Sequence, residues 1–212
     1  MKHKLAGLYA ITPDELRTDI LVAKAGQVLR GGAAVLQYRN KAASRALRLE
    51  QGHALAALCR AAGAVFIVND DLALALELDA DGVHVGAEDG DLAEARRCLG
   101  QSKLLGASCY DSMELAAAAV QAGADYVAFG SVFSSGTKPG AVRAPLTLFA
   151  EARRRFSLPL VAIGGISLQN APQVFAAGAD AVAVISALFD AADVAASAAG
   201  FTRLHQQQRM QQ

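Results

Sequence analysis

The run Ala122-Gly123-Ala124-Asp125-Tyr126-Val127-Ala128-Phe129 decides the fold. Gly123 ends a helix, because glycine closes a helical turn in a backbone conformation that other residues resist. Ala124 and Asp125 allow a tight turn, and 126–130 is an apolar strand. Related content recurs at Gly31-Gly32-Ala33-Ala34, Ala61-Ala62-Gly63-Ala64 and Ala177-Gly178-Ala179-Asp180. Each places a helix end directly before a short buried strand. Apolar strands alternating with helices imply a parallel sheet covered on both faces.

Working outward, strands read at 5–11, 33–38, 65–68, 82–85, 103–108, 126–130, 159–163 and 181–185. Helices read at 14–29, 44–62 with Ser44 as cap, 72–78, 91–99, 112–122, 146–156, 169–177 and 190–198. Eight strand–helix units imply an α/β chain folded as a closed (β/α)8 TIM barrel. Residues 1–212 are expected to be a single barrel domain, with a frayed glutamine-rich tail after His205. A doubly wound open sheet is the alternative. No G-x-G-x-x-G follows the first strand, so dinucleotide binding has little support.

Composition narrows the function. The 20 acidic and 20 basic side chains cancel, so no broad field attracts nucleic acid or an anionic membrane. Hydrophobic residues make up 53%, enough for a substantial core. Cys59, Cys98 and Cys109 are odd in number and lack metal-ligand spacing, so neither a disulfide scaffold nor a metal knot is expected. No signal segment and no 18-residue apolar span stand out, and a cytoplasmic location is the expectation. Self-association through the outer helices is compatible with the sequence.

A barrel gathers its strand-to-helix loops at one mouth. Gln37, Arg39 and Lys41 then meet Asn69, Asp70, Asp89, Ser108, the 129–140 loop, Gly165, Ile185 and Ser186. The loop Ser134-Ser135-Gly136-Thr137-Lys138-Pro139-Gly140 carries accessible backbone amides, hydroxyls and a cation, which suits phosphate. It is not a Walker loop. Arg39 can form a bidentate pair with phosphate, while Lys41 and Lys138 act as point charges. Asp70 and Asp89 suit Mg²⁺ through hard oxygens; acid–base work and helix capping are the other readings. Gln37 and Asn69 offer paired donors and acceptors to a polar ring. Gly164-Gly165 and Ile185-Ser186 suit a second anion, or in the glycine pair only a tight turn. His84 reads as a structural or pocket-lining residue, and Tyr9 as a core or mouth aromatic.

Taken together, Tyr9-Ala10-Ile11-Thr12, Gln37-Tyr38-Arg39-Asn40-Lys41, Val68-Asn69-Asp70, Gly82-Val83-His84-Val85-Gly86, the stretch 130–138 and Ala162-Ile163-Gly164-Gly165-Ile166 are a specific set. In order and spacing the chain resembles the thiamine-phosphate synthase family over nearly its whole length. The resemblance implies a barrel enzyme, a transferase. It would join 4-amino-2-methyl-5-(diphosphooxymethyl)pyrimidine to 4-methyl-5-(2-phosphooxyethyl)thiazole, releasing diphosphate. It implies that Gln37, Arg39, Lys41, Asn69, Ser108 and Lys138 meet the pyrimidine diphosphate, and that Tyr38, Asn40 and Gly136 are also substrate-binding. Arg39, Lys41, Ser108 and Lys138 would be catalytic, and Asp70 and Asp89 would hold Mg²⁺. Ser135, Thr137, Gly165, Ile185 and Ser186 would surround the thiazole phosphate. Ala87, Asn40 and Ser135 depart from the family's usual glutamine, acid and threonine. A related thiazole tautomerase, which would not need the full diphosphate and metal set, and a noncatalytic thiamine-precursor binding protein are the alternatives.

Overall fold

The computed structural model describes residues 5–86, 90–134 and 142–210. Its strands are β1 (Gly7–Ile11), β2 (Val35–Tyr38), β3 (Val65–Asn69), β4 (Gly82–Val85), β5 (Leu104–Tyr110), β6 (Tyr126–Phe129), β7 (Leu160–Ile163) and β8 (Ala181–Val184). All neighbours pair in parallel, and β8 returns to β1 to close the barrel. The helices between them are α1 (Thr18–Arg30), α2 (Arg45–Ala62), α3 (Leu72–Glu77), α4 (Leu92–Leu99), α5 (Met113–Gln121), α6 (Thr147–Arg155) and α7 (Ala171–Ala176). After β8 come α8 (Ser186–Phe189) and α9 (Val194–Met210).

The near-continuous apolar strands follow from burial on both faces. Side chains alternate with period two. Tyr9, Ile11, Val35, Ile67, Tyr126, Ala128, Val161 and Ala183 pack inside the barrel. Their neighbours Leu8, Ala10, Leu36, Phe66, Val68, Val127, Phe129, Ala162 and Val182 pack against the helices.

The recurrent turns do more than shorten connections. The Asp180 and Asp125 carboxylates accept hydrogen bonds from amides in the first two residues of the preceding strands, Leu160 N at 2.7 Å and Leu105 N at 2.9 Å. Asp81 does the same for Phe66 N at 2.8 Å. An arginine completes two of these staples. Arg96 bonds Asp125 at 2.5 Å and the Gly123 carbonyl at 3.0 Å, and Arg153 bonds Asp180 and the Gly178 carbonyl. Amides at strand starts, which no ladder partner reaches, are thereby satisfied.

Three expectations need correction. Helix α1 starts at Thr18, not at Asp14, because the preceding segment docks on the β2–α2 loop. Asp14 Oδ1 accepts from Lys41 N at 2.6 Å, and the Glu15 carbonyl accepts from Asn40 Nδ2 at 2.7 Å. The single closing helix at 190–198 is instead the short α8 followed by α9. The tail expected to fray after His205 stays helical to Met210. Gln, Arg and Met are good helix formers, and the His205 ring packs 5.2 Å from that of Phe175.

The Arg96–Asp125 staple is almost fully buried, at 11% and 9% side-chain exposure. Asp125→Ala strands a buried guanidinium and should cost about 3 kcal/mol in urea unfolding. Asp79→Ala, which removes from Lys103 a partner that is 83% exposed, should shift the urea midpoint much less.

Candidate functional site

The carboxyl ends of the strands open into a cavity of about 450 Å³. Gln37, Arg39, Lys41, Asn69, Asp70, Ser108, Gly165, Ile185 and Ser186 all line it, joined by Tyr9, His84 and Tyr126. Residues far apart in sequence therefore meet because each follows or ends an inward-facing strand.

On the β2–β3 arc the adjacent aspartates divide the work. Asp71 caps α3, accepting from Leu74 N at 2.9 Å, and pairs with Arg48 at 3.2 Å. Asp70 instead lies in the left-handed region, with φ 59°. Its amide donates to the His84 carbonyl at 2.8 Å, and its Oδ1 accepts from Gly86 N at 3.2 Å. Asn69 Nδ2 donates to Asp70 Oδ2 at 2.5 Å, and Lys41 Nζ stands 3.3 Å from the same oxygen. An aspartate in this strained backbone, held from two strands, is a positioned carboxylate rather than a cap.

Two residues outside the expected set hold the basic segment. Buried Thr12 donates to the Arg39 carbonyl at 2.8 Å and accepts from Arg39 N at 2.9 Å. Asp14 pairs with the Arg39 guanidinium at 3.1 Å. The place of Thr12 at a strand end is the only signal in the sequence, and Asp14 reads there as a helix start.

Tyr38 and Asn40 are not brought to the main cavity. Period two turns Gln37 inward and Tyr38 outward, where its hydroxyl donates to Gln51 at 2.9 Å. Asn40 Nδ2 donates to the Glu15 carbonyl and to Gln51 Oε1 at 3.0 Å. Asn40 Oδ1 is buried with no hydrogen-bond partner among the described residues. Both residues line an adjoining hollow shared with Arg39, Lys41 and Asp70.

On the β7–β8 arc Gly164 and Gly165 have φ 103° and 62°. A Cβ on Gly164 would stand 2.1 Å from Ser131 Oγ, and one on Gly165 2.3 Å from the Ser134 carbonyl. The glycine pair is thus required by close approach of the β6–α6 loop as well as by conformation. Ile185 and exposed Ser186 follow at the start of α8. The expected site residues Asp89, Ser135, Gly136, Thr137 and Lys138 lie outside the described residues.

His84 stacks on Tyr126 with ring centroids 5.5 Å apart. Its Nδ1 is 3.1 Å from Tyr126 Oη and its Nε2 is 2.9 Å from Ser108 Oγ. Burial lowers its pKa to about 4, opposed by the Asp70 charge, so the imidazole is neutral at pH 7. Burial pushes the Cys109 thiol up to about 12, which removes it as a nucleophile. Among the described residues, no three His, Cys, Asp or Glu side chains cluster for a metal, and no helix is long and apolar enough to cross a membrane.

A barrel with cations and a positioned carboxylate at its strand ends has the architecture of an enzyme for phosphorylated substrates. The family model for thiamine monophosphate synthase matches residues 8–188. The thiamine-phosphate synthase of Aromatoleum aromaticum is 58% identical over 201 residues, 95% of this chain and 97% of that protein. That of Thioalkalivibrio sulfidiphilus is 56% identical, covering 92% and 93%. The solved thiamine phosphate pyrophosphorylase of Pyrococcus furiosus superposes with a TM-score of 0.86 at 35% identity, covering 97% and 98%. The chain belongs to the thiamine monophosphate synthase family, and it is a transferase.

The lowered His84 pKa has a consequence for stability. An unfolded imidazole titrates near 6.5, so on acidification below about 6.5 the unfolded chain takes up a proton that the folded chain refuses. The stability is fully present above about 6.5 and is lost as pH falls toward about 4. That loss should amount to about 3 kcal/mol. Urea unfolding across that window should show a shallower pH slope in His84→Asn than in the parent chain.

Proposed function

We propose that the chain couples the pyrimidine diphosphate to the thiazole phosphate at two anion subsites on different arcs of the rim. The observation that carries this reading is the grouping of Arg39, Lys41, Asn69 and Asp70 on one arc, with Gly164, Gly165 and Ser186 on another. Gln37 and Ser108 line the same cavity and are available to a ring held between the two arcs.

In this reading Arg39 and Lys41 hold the diphosphate and absorb charge as the C–O bond breaks. Lys138 joins them by resemblance. Asp70 suits Mg²⁺, being an oxygen donor fixed at the cavity wall beside a lysine, and Asp89 is its partner by resemblance. Mg²⁺, when bound, supplies neutralisation of the departing diphosphate. Gln37 and Ser108 hold the aminopyrimidine ring, which spreads the positive charge left at its methylene carbon. The thiazole nitrogen supplies the electron pair for the new C–N bond, its phosphate held at Gly165, Ile185 and Ser186 with the loop residues Ser135, Gly136 and Thr137. Exclusion of water by the apolar lower wall favours coupling over hydrolysis. No protein nucleophile is required.

The purified chain with both substrates and Mg²⁺ should form thiamine phosphate and diphosphate in equal amounts. Tautomerisation of the thiazole without either product would overturn the reading. Asp70→Ala should lower turnover by about 100-fold at ordinary Mg²⁺ and weaken metal binding, with folding little changed. Unchanged metal affinity with normal turnover would remove Asp70 from the coordination shell. Lys138→Ala should slow the single-turnover coupling step at saturating thiazole phosphate; a defect confined to thiazole phosphate affinity would move Lys138 to the second subsite.

A further inference from the structure

Five side chains form one unbroken hydrogen-bond chain across the barrel interior, from β2 to β5. Gln37 Nε2 donates to Tyr9 Oη at 2.8 Å. Tyr9 and Tyr126 share a hydrogen bond of 2.8 Å. Tyr126 Oη lies 3.1 Å from His84 Nδ1, and His84 Nε2 lies 2.9 Å from Ser108 Oγ. Tyr9, Gln37, Tyr126 and His84 are all buried, and both ends of the chain line the cavity.

The direction of donation follows from the first link. With the Gln37 amide assigned nitrogen toward Tyr9, Tyr9 accepts and its single hydroxyl proton goes to Tyr126. Tyr126 then donates to His84 Nδ1. A neutral imidazole has one N–H, which must sit on Nε2 and point to Ser108. Ser108 accepts there, and its own proton is left for the cavity. At the far end the amide nitrogen of Gln37 is engaged, and its oxygen is left as an acceptor. Buried networks with every member satisfied fix one arrangement of their groups.

The backbone is shaped around this chain. Gly106 pairs in register with both His84 and Tyr126. A Cβ there would stand 2.1 Å from Tyr126 Cζ and 2.6 Å from His84 Nδ1. Glycine inside a strand weakens it and marks a close approach, and here the space it leaves is filled by the two rings of the chain.

We infer that Tyr9, Tyr126 and His84 are positioning residues that hold Ser108 as a hydrogen-bond donor and the Gln37 amide oxygen as an acceptor toward an aminopyrimidine. The match is chemical: an aminopyrimidine offers N–H donors on its amino group and acceptor nitrogens in its ring. This role rests on the pyrimidine subsite proposed above.

The test uses the full chain, ¹⁵N-labelled at histidine, with 4-amino-5-hydroxymethyl-2-methylpyrimidine as a probe that lacks the diphosphate. In the parent chain His84 should carry its proton on Nε2 alone. Tyr126→Phe keeps the ring and drops the hydroxyl. It should weaken the probe about tenfold, leave thiazole phosphate affinity unchanged and release His84 from its single tautomer. Tyr9→Phe should weaken the probe while leaving the His84 tautomer intact, because Tyr126 can still donate. Gly106→Ala, whose Cβ would displace the Tyr126 and His84 rings while removing none of their polar groups, should mimic Tyr126→Phe where it folds. An Nδ1–H imidazole in a parent chain that makes thiamine phosphate would overturn the positioning role alone. So would parental probe affinity in folded Tyr126→Phe and Tyr9→Phe. A parent chain with the expected tautomer that does not bind the probe would overturn the pyrimidine assignment, and this role with it.

Discussion

The pairing of β8 with β1, Tyr9 against Ala183 and Ala10 against Val184, is the constraint on which everything else depends. It removes the sheet edges and forces every second side chain of eight strands into one enclosed column. That column must be filled or made polar deliberately. The lower part is filled by Val35, Val65, Leu104 and Ala181. Higher up, Tyr9, Tyr126 and His84 fill the space while keeping their polar atoms paired with one another. Above them the column is open, and that opening is the cavity.

Charge follows the same vertical order. The staples at Asp81, Asp125 and Asp180 satisfy strand-start amides at the amino-terminal end, where they serve stability. Arg39, Lys41 and Asp70 lie at the carboxyl-terminal end, where loops vary and function concentrates. The middle layer is uncharged at pH 7, since burial holds His84 neutral and raises both tyrosine hydroxyls. A neutral floor beneath a charged rim directs the anionic ends of a ligand outward and leaves a ring to the hydrogen-bonding groups below.

Most of this order is written in local pattern. Glycine at helix ends and uninterrupted apolar strands announced the barrel, because both are dictated by short-range chemistry. Position at a strand end picked out Gln37, Arg39, Lys41, Asn69, Asp70, Ser108 and Gly165. What sequence did not carry is direction and long-range partnership. Tyr38 and Asn40 sit in the same motif as Gln37, yet the alternation of the strand and the reach to Gln51 take them to the neighbouring hollow. Asp14 looked like a helix start until the β2–α2 loop captured it. Tyr126 read only as a strand residue, because the hydroxyl chain that uses it joins positions on four other strands. The tail past His205 lacked the apolar periodicity of a packed helix, and helix-forming residues carried it on regardless.

The central claim is that the two substrates use different arcs of one rim at the same time. A crystal structure of the chain with inorganic diphosphate, Mg²⁺ and thiamine phosphate tests it most directly. The account predicts diphosphate against Arg39, Lys41 and Asp70, and the thiamine phosphate group against Gly165 and Ser186, with the pyrimidine ring between Gln37 and Ser108. Both phosphate-bearing groups on the same arc, or a pyrimidine ring outside the barrel column, would contradict it.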